Sequence, residues 1–334
     1  MQGGMFWLAS ADLAAAVSNA GGLGTITAYG GMAMDGDPLV HLQAQIVRAR
    51  SLTSRAFAVN ILLDHPLGGA LLELALSADV EAIVTSSGDP GIYTPLLKSC
   101  GVTVLHVVTS VSQAVRAERA GVDAVIVQGI EAGGRHSPGS VPLFSLLPTV
   151  VHAVRLPVIA AGGIVDGRGI AAALGYGAEA AQLGTRFIAT SECPAHAVYK
   201  RAIVDAGAGS TVLTCGATPG RCLDTGFLRR MRALECAGAS AEEVAAARPY
   251  RGAAAAQLAG RLDLGELYCT AAVELIRDIQ PVATLMEQLR QGMVAGNPEL
   301  AAWFEPVTLP LNGKRGDDSA TSQGSTSRLL PALT

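Results

Sequence analysis

Two glycine-rich stretches hold the residues best placed to do chemistry. The chain reads AAGGIVDG at 160–167, where Gly162 and Gly163 follow an apolar run, and LGTR at 183–186, where Gly184 and Thr185 follow another. Glycine lets backbone N–H groups come close to an anion, and a helix starting just beyond adds the positive end of its dipole. One such pair is most often a plain turn. Two pairs about 22 residues apart, closing consecutive strand–helix units, describe a phosphate pocket of the kind that forms after the last two strands of a parallel barrel. A phosphate alone does not decide between substrate and cofactor.

The elements that must position these glycines follow a regular alternation. β-Branched runs at 22–27, 56–62, 81–86, 103–108, 123–129, 157–163 and 180–187 each end in turn residues or a short polar step, with amphipathic stretches such as 11–19, 39–50, 111–120 and 143–154 between them. Spacings of about 20 to 30 residues per unit predict a (β/α)8 TIM barrel, class α/β. Seven strands are visible, and the eighth should precede or include 1–5, because MQGGM reads as the turn that normally follows a strand; the start of the sequence is therefore expected to be truncated. The main part of the barrel is assigned to 1–194. Residues 195–262 read as an inserted helical lid, with helices at 193–206, 225–238 and 241–247. Residues 263–305 supply a closing helix, read as 270–290. From 306 to 334 the composition turns to Gly, Ser, Asp, Lys and Arg, too polar to bury a core, which predicts a disordered C-terminal tail.

Composition narrows the classes of function. The 334 residues are half hydrophobic, enough for a full-sized core. A net charge of −4 and only 4% aromatic residues argue against nucleic-acid binding. No uncharged apolar run is long enough to predict a membrane span. The six cysteines are scattered without a C-x-x-C pair, so neither a zinc site nor a disulfide framework is signalled and a reducing cytoplasm is expected. GGLG at 21–24 lacks the full dinucleotide fingerprint. Among the histidines, His106 lies in an apolar strand, where a hydrogen-bonded core role is the commoner one. His41, His65, His152 and His196 read as helix or loop surface positions.

Seven motifs taken in order resemble the nitronate monooxygenases, formerly called 2-nitropropane dioxygenases. They are MQGGM (1–5), AVSNAGGLGTI (16–26), VN (59–60), SSGDP (86–90), QGIEAGG (128–134), PVIAAGGIVDGRGIAAAL (157–174) and GTRFIATSE (184–192). The series is also similar to the FMN-dependent enoyl-acyl-carrier-protein reductases and to NADH:quinone reductases. The resemblance implies a flavoenzyme carrying FMN. It sets Gly3, Gly4 and Met5 against the isoalloxazine and Asn60 at its pyrimidine side. Gln128, Gly133 and Gly134 would line the ribityl chain and ring edge, and Ala161, Gly162, Gly163, Gly184 and Thr185 would hold the phosphate. Taken alone, Asn60 and Gln128 read as satisfied strand-end polar groups.

The chain departs from the family pattern in two places. The family carries histidine directly after the two glycines; here Arg135 stands in that slot and His136 follows. Either a lengthened loop still delivers the His136 imidazole, whose ordinary pKa of about 6.5 suits proton transfer, or Arg135 faces the flavin as an anion binder. In the closing segment, relatives often carry Gly-Gln where this chain has Thr270–Ala271, so that Tyr268 or Cys269 could take over that contact. The resemblance implies oxidation of alkyl nitronates by O2 to carbonyl compounds and nitrite. Two alternatives stay open: an NAD(P)H-dependent reductase of quinones or enoyl thioesters, and a barrel that only binds a phosphorylated ligand. Expected partners are a small-molecule electron donor and O2, with a homodimer allowed and neither nucleic acid nor a membrane involved.

Overall fold

Where the sequence sets β-branched runs against turn residues, strands form. The computed structural model describes residues 1–214 and 219–304, so the tail expected at 306–334 lies outside the described residues. The strands are β1 (Gly24–Thr27), β2 (Phe57–Leu62), β3 (Ala82–Ser86), β4 (Thr103–Val108), β5 (Ala124–Gln128), β6 (Gly134–Arg135), β7 (Val158–Ala161), β8 (Ala180–Gln182), β9 (Thr211–Leu213) and β10 (Gly220–Leu223). Seven of them pair in parallel in the order β1-β2-β3-β4-β5-β7-β8, matching the seven runs read from the sequence. The last is shorter than 180–187, because Gly184 opens the helical turn Thr185–Ile188.

Helices on the outside bury the second face of each strand, which is why the runs are continuously apolar. Val59, Ile83, Val104 and Val125 face that outer layer, while Ala58, Val84, Leu105, Ile126 and Ile159 fill the inside of the curled sheet. The inner cluster is small because its inward-facing residues give way, at the carboxyl ends of the strands, to polar side chains.

The seam between β8 and β1 is closed by the first three residues rather than by a full strand. Gln2 bridges Leu183 in parallel. Gly3 N–H donates to Leu183 O at 2.8 Å, Leu183 N–H to Met1 O at 3.0 Å and Gln2 N–H to Leu23 O at 3.0 Å. The Gln2 amide then serves Thr25 twice, its Nε2 donating to Thr25 O at 2.9 Å and its Oε1 accepting from Thr25 N–H at 3.1 Å. A buried glutamine thereby completes the hydrogen bonds of an α/β barrel whose eighth stave is a bridge.

The region 195–262 is not all helical. It holds the helices Ala197–Val204, Gly226–Cys236, Ala241–Ala246 and Gly252–Ala259, and also β9 and β10, which join β6 in an antiparallel sheet of order β6-β10-β9. The closing helix is likewise displaced from 270–290 to Val282–Gly296, because Pro281 caps its start and the residue before a proline is disfavoured in helical backbone. No helix among the described residues is long and apolar enough to cross a membrane.

Replacing Gln2 with Ala strands the buried Thr25 N–H and C=O. At about 1–3 kcal/mol for each unpaired group, the expected loss is about 2–6 kcal/mol. Urea unfolding of Gln2→Ala measures it, and an unchanged midpoint would show that the seam is not held this way.

Candidate active site

The carboxyl ends of the strands surround a cavity of about 920 Å³, lined by all fourteen residues singled out from the sequence: Gly3, Gly4, Met5, Asn60, Gln128, Gly133, Gly134, Arg135, His136, Ala161, Gly162, Gly163, Gly184 and Thr185. Alternation along the strands sends Asn60 from β2, Gln128 from β5 and Ala161 from β7 inward. The glycines are there because nothing larger fits. A Cβ on Gly4 would stand 2.4 Å from Asn60 Cγ, and one on Gly133 2.8 Å from the Cys269 carbonyl carbon. Gly162 and Gly163 take φ of 107° and 74°, a region that L side chains avoid. Gly184 differs: a Cβ there would meet only Met5 at 3.8 Å, so the position is open on the cavity side.

Thr270 ties the walls of this end together. Its Oγ1 donates to Glu131 O at 2.9 Å and accepts from Gly163 N–H at 3.2 Å, while its own N–H donates to Thr185 Oγ1 at 2.9 Å. Sequence reading weighed Tyr268 and Cys269 for this region and passed over Thr270. It also passed over Gln182, the inward residue of β8 against which Gly3 packs. The period-two pattern of Ala180, Gln182 and Gly184 was the available signal for Gln182; for Thr270 it was the departure from the relatives' Gly-Gln at 270–271.

The pairing of β6 with β10, Arg135 opposite Gly220, fixes how the Arg135–His136 step is arranged. Successive residues of an extended segment point to opposite sides. His136 turns into the protein and is buried, its Nε2 2.9 Å from Ala132 O and its Nδ1 3.4 Å from Gln128 Nε2, with its backbone N–H on Pro219 O. Since Ala132 O can only accept, the ring proton sits on Nε2 and Nδ1 carries the lone pair. Burial pushes this imidazole below its usual pKa. Arg135 is exposed, lines the cavity and lies against the Tyr268 hydroxyl. It has no carboxylate partner among the described residues.

The other candidates sort by burial. His106 lines the cavity but is buried, its Nδ1 2.7 Å from Thr85 Oγ1, and burial lowers its pKa to about 4. Cys269 is buried among apolar groups that push its thiol up, and burial raises the Tyr268 phenol against the pull of Arg135. His65, read as a surface residue, is half-buried in the cavity wall, its Nε2 3.1 Å from Tyr29 Oη and its Nδ1 accepting from Leu67 N–H at 3.1 Å.

This architecture is that of a ligand-binding barrel enzyme, and comparison gives the family. A family model described as nitronate monooxygenase matches residues 1–71 and 69–292. The chain belongs to that family, and with it to the oxidoreductases. It is 39% identical over 217 residues to a (3aS,4S,5R,7aS)-5-hydroxy-7a-methyl-1-oxo-octahydro-1H-indene-4-carboxyl-CoA dehydrogenase of Mycobacterium tuberculosis, an alignment spanning 64% of this chain and 59% of that protein. It is 33% identical to the nitronate monooxygenase of Paraburkholderia phytofirmans over 87% of this chain and 91% of that one. The structure of FabK from Thermotoga maritima superposes with a TM-score of 0.80 at 38% identity, covering 91% of this chain and 94% of that chain.

Both buried imidazoles are held neutral in the fold, whereas the unfolded chain takes up their protons near pH 6.5. Their contribution to stability is therefore complete above about pH 6.5 and is lost as pH falls toward about 4 for His106. His106→Leu should flatten the decline of unfolding free energy over that window, as read from urea titrations at a series of pH values; a wild-type slope in the variant would contradict the assignment.

Proposed function

We propose that this chain is an FMN-dependent nitronate monooxygenase that takes the preformed nitronate anion, with O2, to a carbonyl compound and nitrite. The observation that carries the reading is a cation with no carboxylate partner among the described residues, Arg135, on the wall of a cavity that also holds a glycine cradle. The residues fit FMN: the left-handed Gly162–Gly163 step, open Gly184 and Thr185 leave room for one terminal phosphate next to Ala161. Gly3, Gly4, Met5 and Asn60 offer a flat face to the ring, with Gln128, Gly133 and Gly134 along its edge. When bound, FMN supplies the electron transfer between nitronate and dioxygen.

Arg135 is the anion binder in this scheme. Its planar fork matches two oxygens of a nitronate, and the charge is not spent on a neighbouring carboxylate. His136 holds the 128–136 loop through Ala132 O. Its one lone pair faces the Gln128 amide, and burial makes it a weak proton acceptor, so a substrate that arrives already deprotonated suits the site better than the neutral nitroalkane. The proposed setting is a reducing cytoplasm, in accord with free thiols at Cys100, Cys193, Cys222, Cys236 and Cys269. A second reading, dehydrogenation of an acyl-CoA, is favoured by one observation: the 39% identity to a carboxyl-CoA dehydrogenase.

Arg135→Met should raise the nitronate KM by roughly 10- to 100-fold, the loss of a charge-assisted contact, while leaving the pH profile unchanged. His136→Asn should change nitronate turnover little. The reverse pattern would return His136 to the reacting atoms. Gly184→Val should fold and yet lose its cofactor, since a Cβ there makes only an ordinary contact with Met5 at 3.8 Å while the side chain fills the cradle; heat-released cofactor identified by mass spectrometry should be FMN in the wild type, and FAD would overturn the assignment. Stoichiometric nitrite formation with O2 consumption from a nitronate tests the activity itself, and its absence alongside turnover of an acyl-CoA would establish the second reading.

A further inference from the structure

Part of the cavity is walled by aromatic rings that the proposed chemistry does not use. Phe6 and Trp7 line it together with Leu8, His65 and, from the lid helix, Ala253. Phe6 stacks on Tyr29 with ring centroids 4.2 Å apart and planes at 17°, and Trp7 meets Tyr29 edge-on at 5.3 Å. The wall is rigid. Thr27 Oγ1 donates to Phe6 O at 2.7 Å, Gly31 N–H donates to Trp7 O at 2.8 Å, and Tyr29 Oη is held by His65 Nε2 at 3.1 Å.

A clip from the lid closes over this wall. Arg251, just before the helix Gly252–Ala259, takes φ of 52°, a conformation uncommon for a side-chain-bearing residue, and its guanidinium sits 6.0 Å from the Trp7 ring centroid while donating to Met34 O. Strain of this kind persists only where surrounding contacts hold it, and here those contacts pin the lid to the aromatic wall. A small alkyl nitronate needs none of this surface. The cavity, at about 920 Å³, lies near the top of the range of about 300–1,000 Å³ for ligand pockets.

We propose that the Phe6–Trp7 wall is a subsite for an apolar ring of the substrate, so that the enzyme selects an anion attached to a cyclic or aryl group over one attached to a short alkyl chain. The proposal rests on the reading of Arg135 as anion binder. Phe6 is half-buried, with one face covered by Tyr29, and an incoming ring replaces water on the remainder of its surface. Aromatic pairs and excluded water both favour a flat or cyclic group there.

Binding of unreactive carboxylates to the protein as purified, followed by titration calorimetry, separates this from turnover. Benzoate and cyclohexanecarboxylate carry the same planar two-oxygen anion as a nitronate, and each should bind roughly 10-fold or more tightly than acetate. Phe6→Ala should remove most of that difference while leaving acetate unchanged, and Phe6→Leu, which keeps more of the volume, should lose it in part. Equal affinity for the three carboxylates, or selectivity retained in both variants, overturns the subsite. Ring selectivity in a protein that turns over no nitronate leaves the subsite standing and overturns the nitronate reading instead.

Discussion

Everything at the active end of this barrel depends on the seam that Met1–Gly3 make between β8 and β1. The bridge from Gln2 to Leu183, with the Gln2 amide satisfying Thr25, fixes the level at which the chain leaves the barrel wall. That level brings Gly4 onto Asn60 at a distance only glycine tolerates and sets Gly3 in ordinary contact with Gln182. It also delivers Phe6 and Trp7 to the wall of the same cavity. One stretch of seven residues thus contributes both to the proposed cofactor floor and to the wall where the substrate is proposed to lie.

Burial decides the protonation of the two imidazoles His106 and His136 at the cavity. A buried ionisable group normally shifts toward its neutral form unless it is paired. His106 and His136 follow the rule, both held neutral by burial and committed to hydrogen bonds. Arg135 is exposed and lines the cavity. Asp64, Arg116 and Glu266 also line the cavity, so the proposed anion binding rests on where Arg135 stands, exposed beside the buried His136, and an imidazole that burial makes a weak proton acceptor suits a substrate already deprotonated.

Much of this was legible in the sequence, for physical reasons. Parallel strands buried on both faces give continuous β-branched runs, and each of the seven was visible as such. Glycines that admit a backbone or an anion sit directly after those runs, so the cradle at Gly162, Gly163, Gly184 and Thr185 stood out. What was not legible depends on partners distant in the chain. The strands β9 and β10 are three and four residues long, too short for a period to show. Which of Arg135 and His136 turns inward is decided by pairing with Gly220, far along the chain, and the hub role of Thr270 depends on Glu131, Gly163 and Thr185 meeting it. The closing helix begins after Pro281 rather than at 270, because a proline is favoured at a helix start and not inside one.

The most direct test of the account is anaerobic rapid mixing of the flavin-loaded protein with a nitronate and, separately, with NADH, following the flavin absorbance. The account predicts bleaching by the nitronate that weakens in Arg135→Met, and no comparable bleaching by NADH. Rapid bleaching by NADH with none by the nitronate would contradict it and make the chain a nicotinamide-dependent reductase.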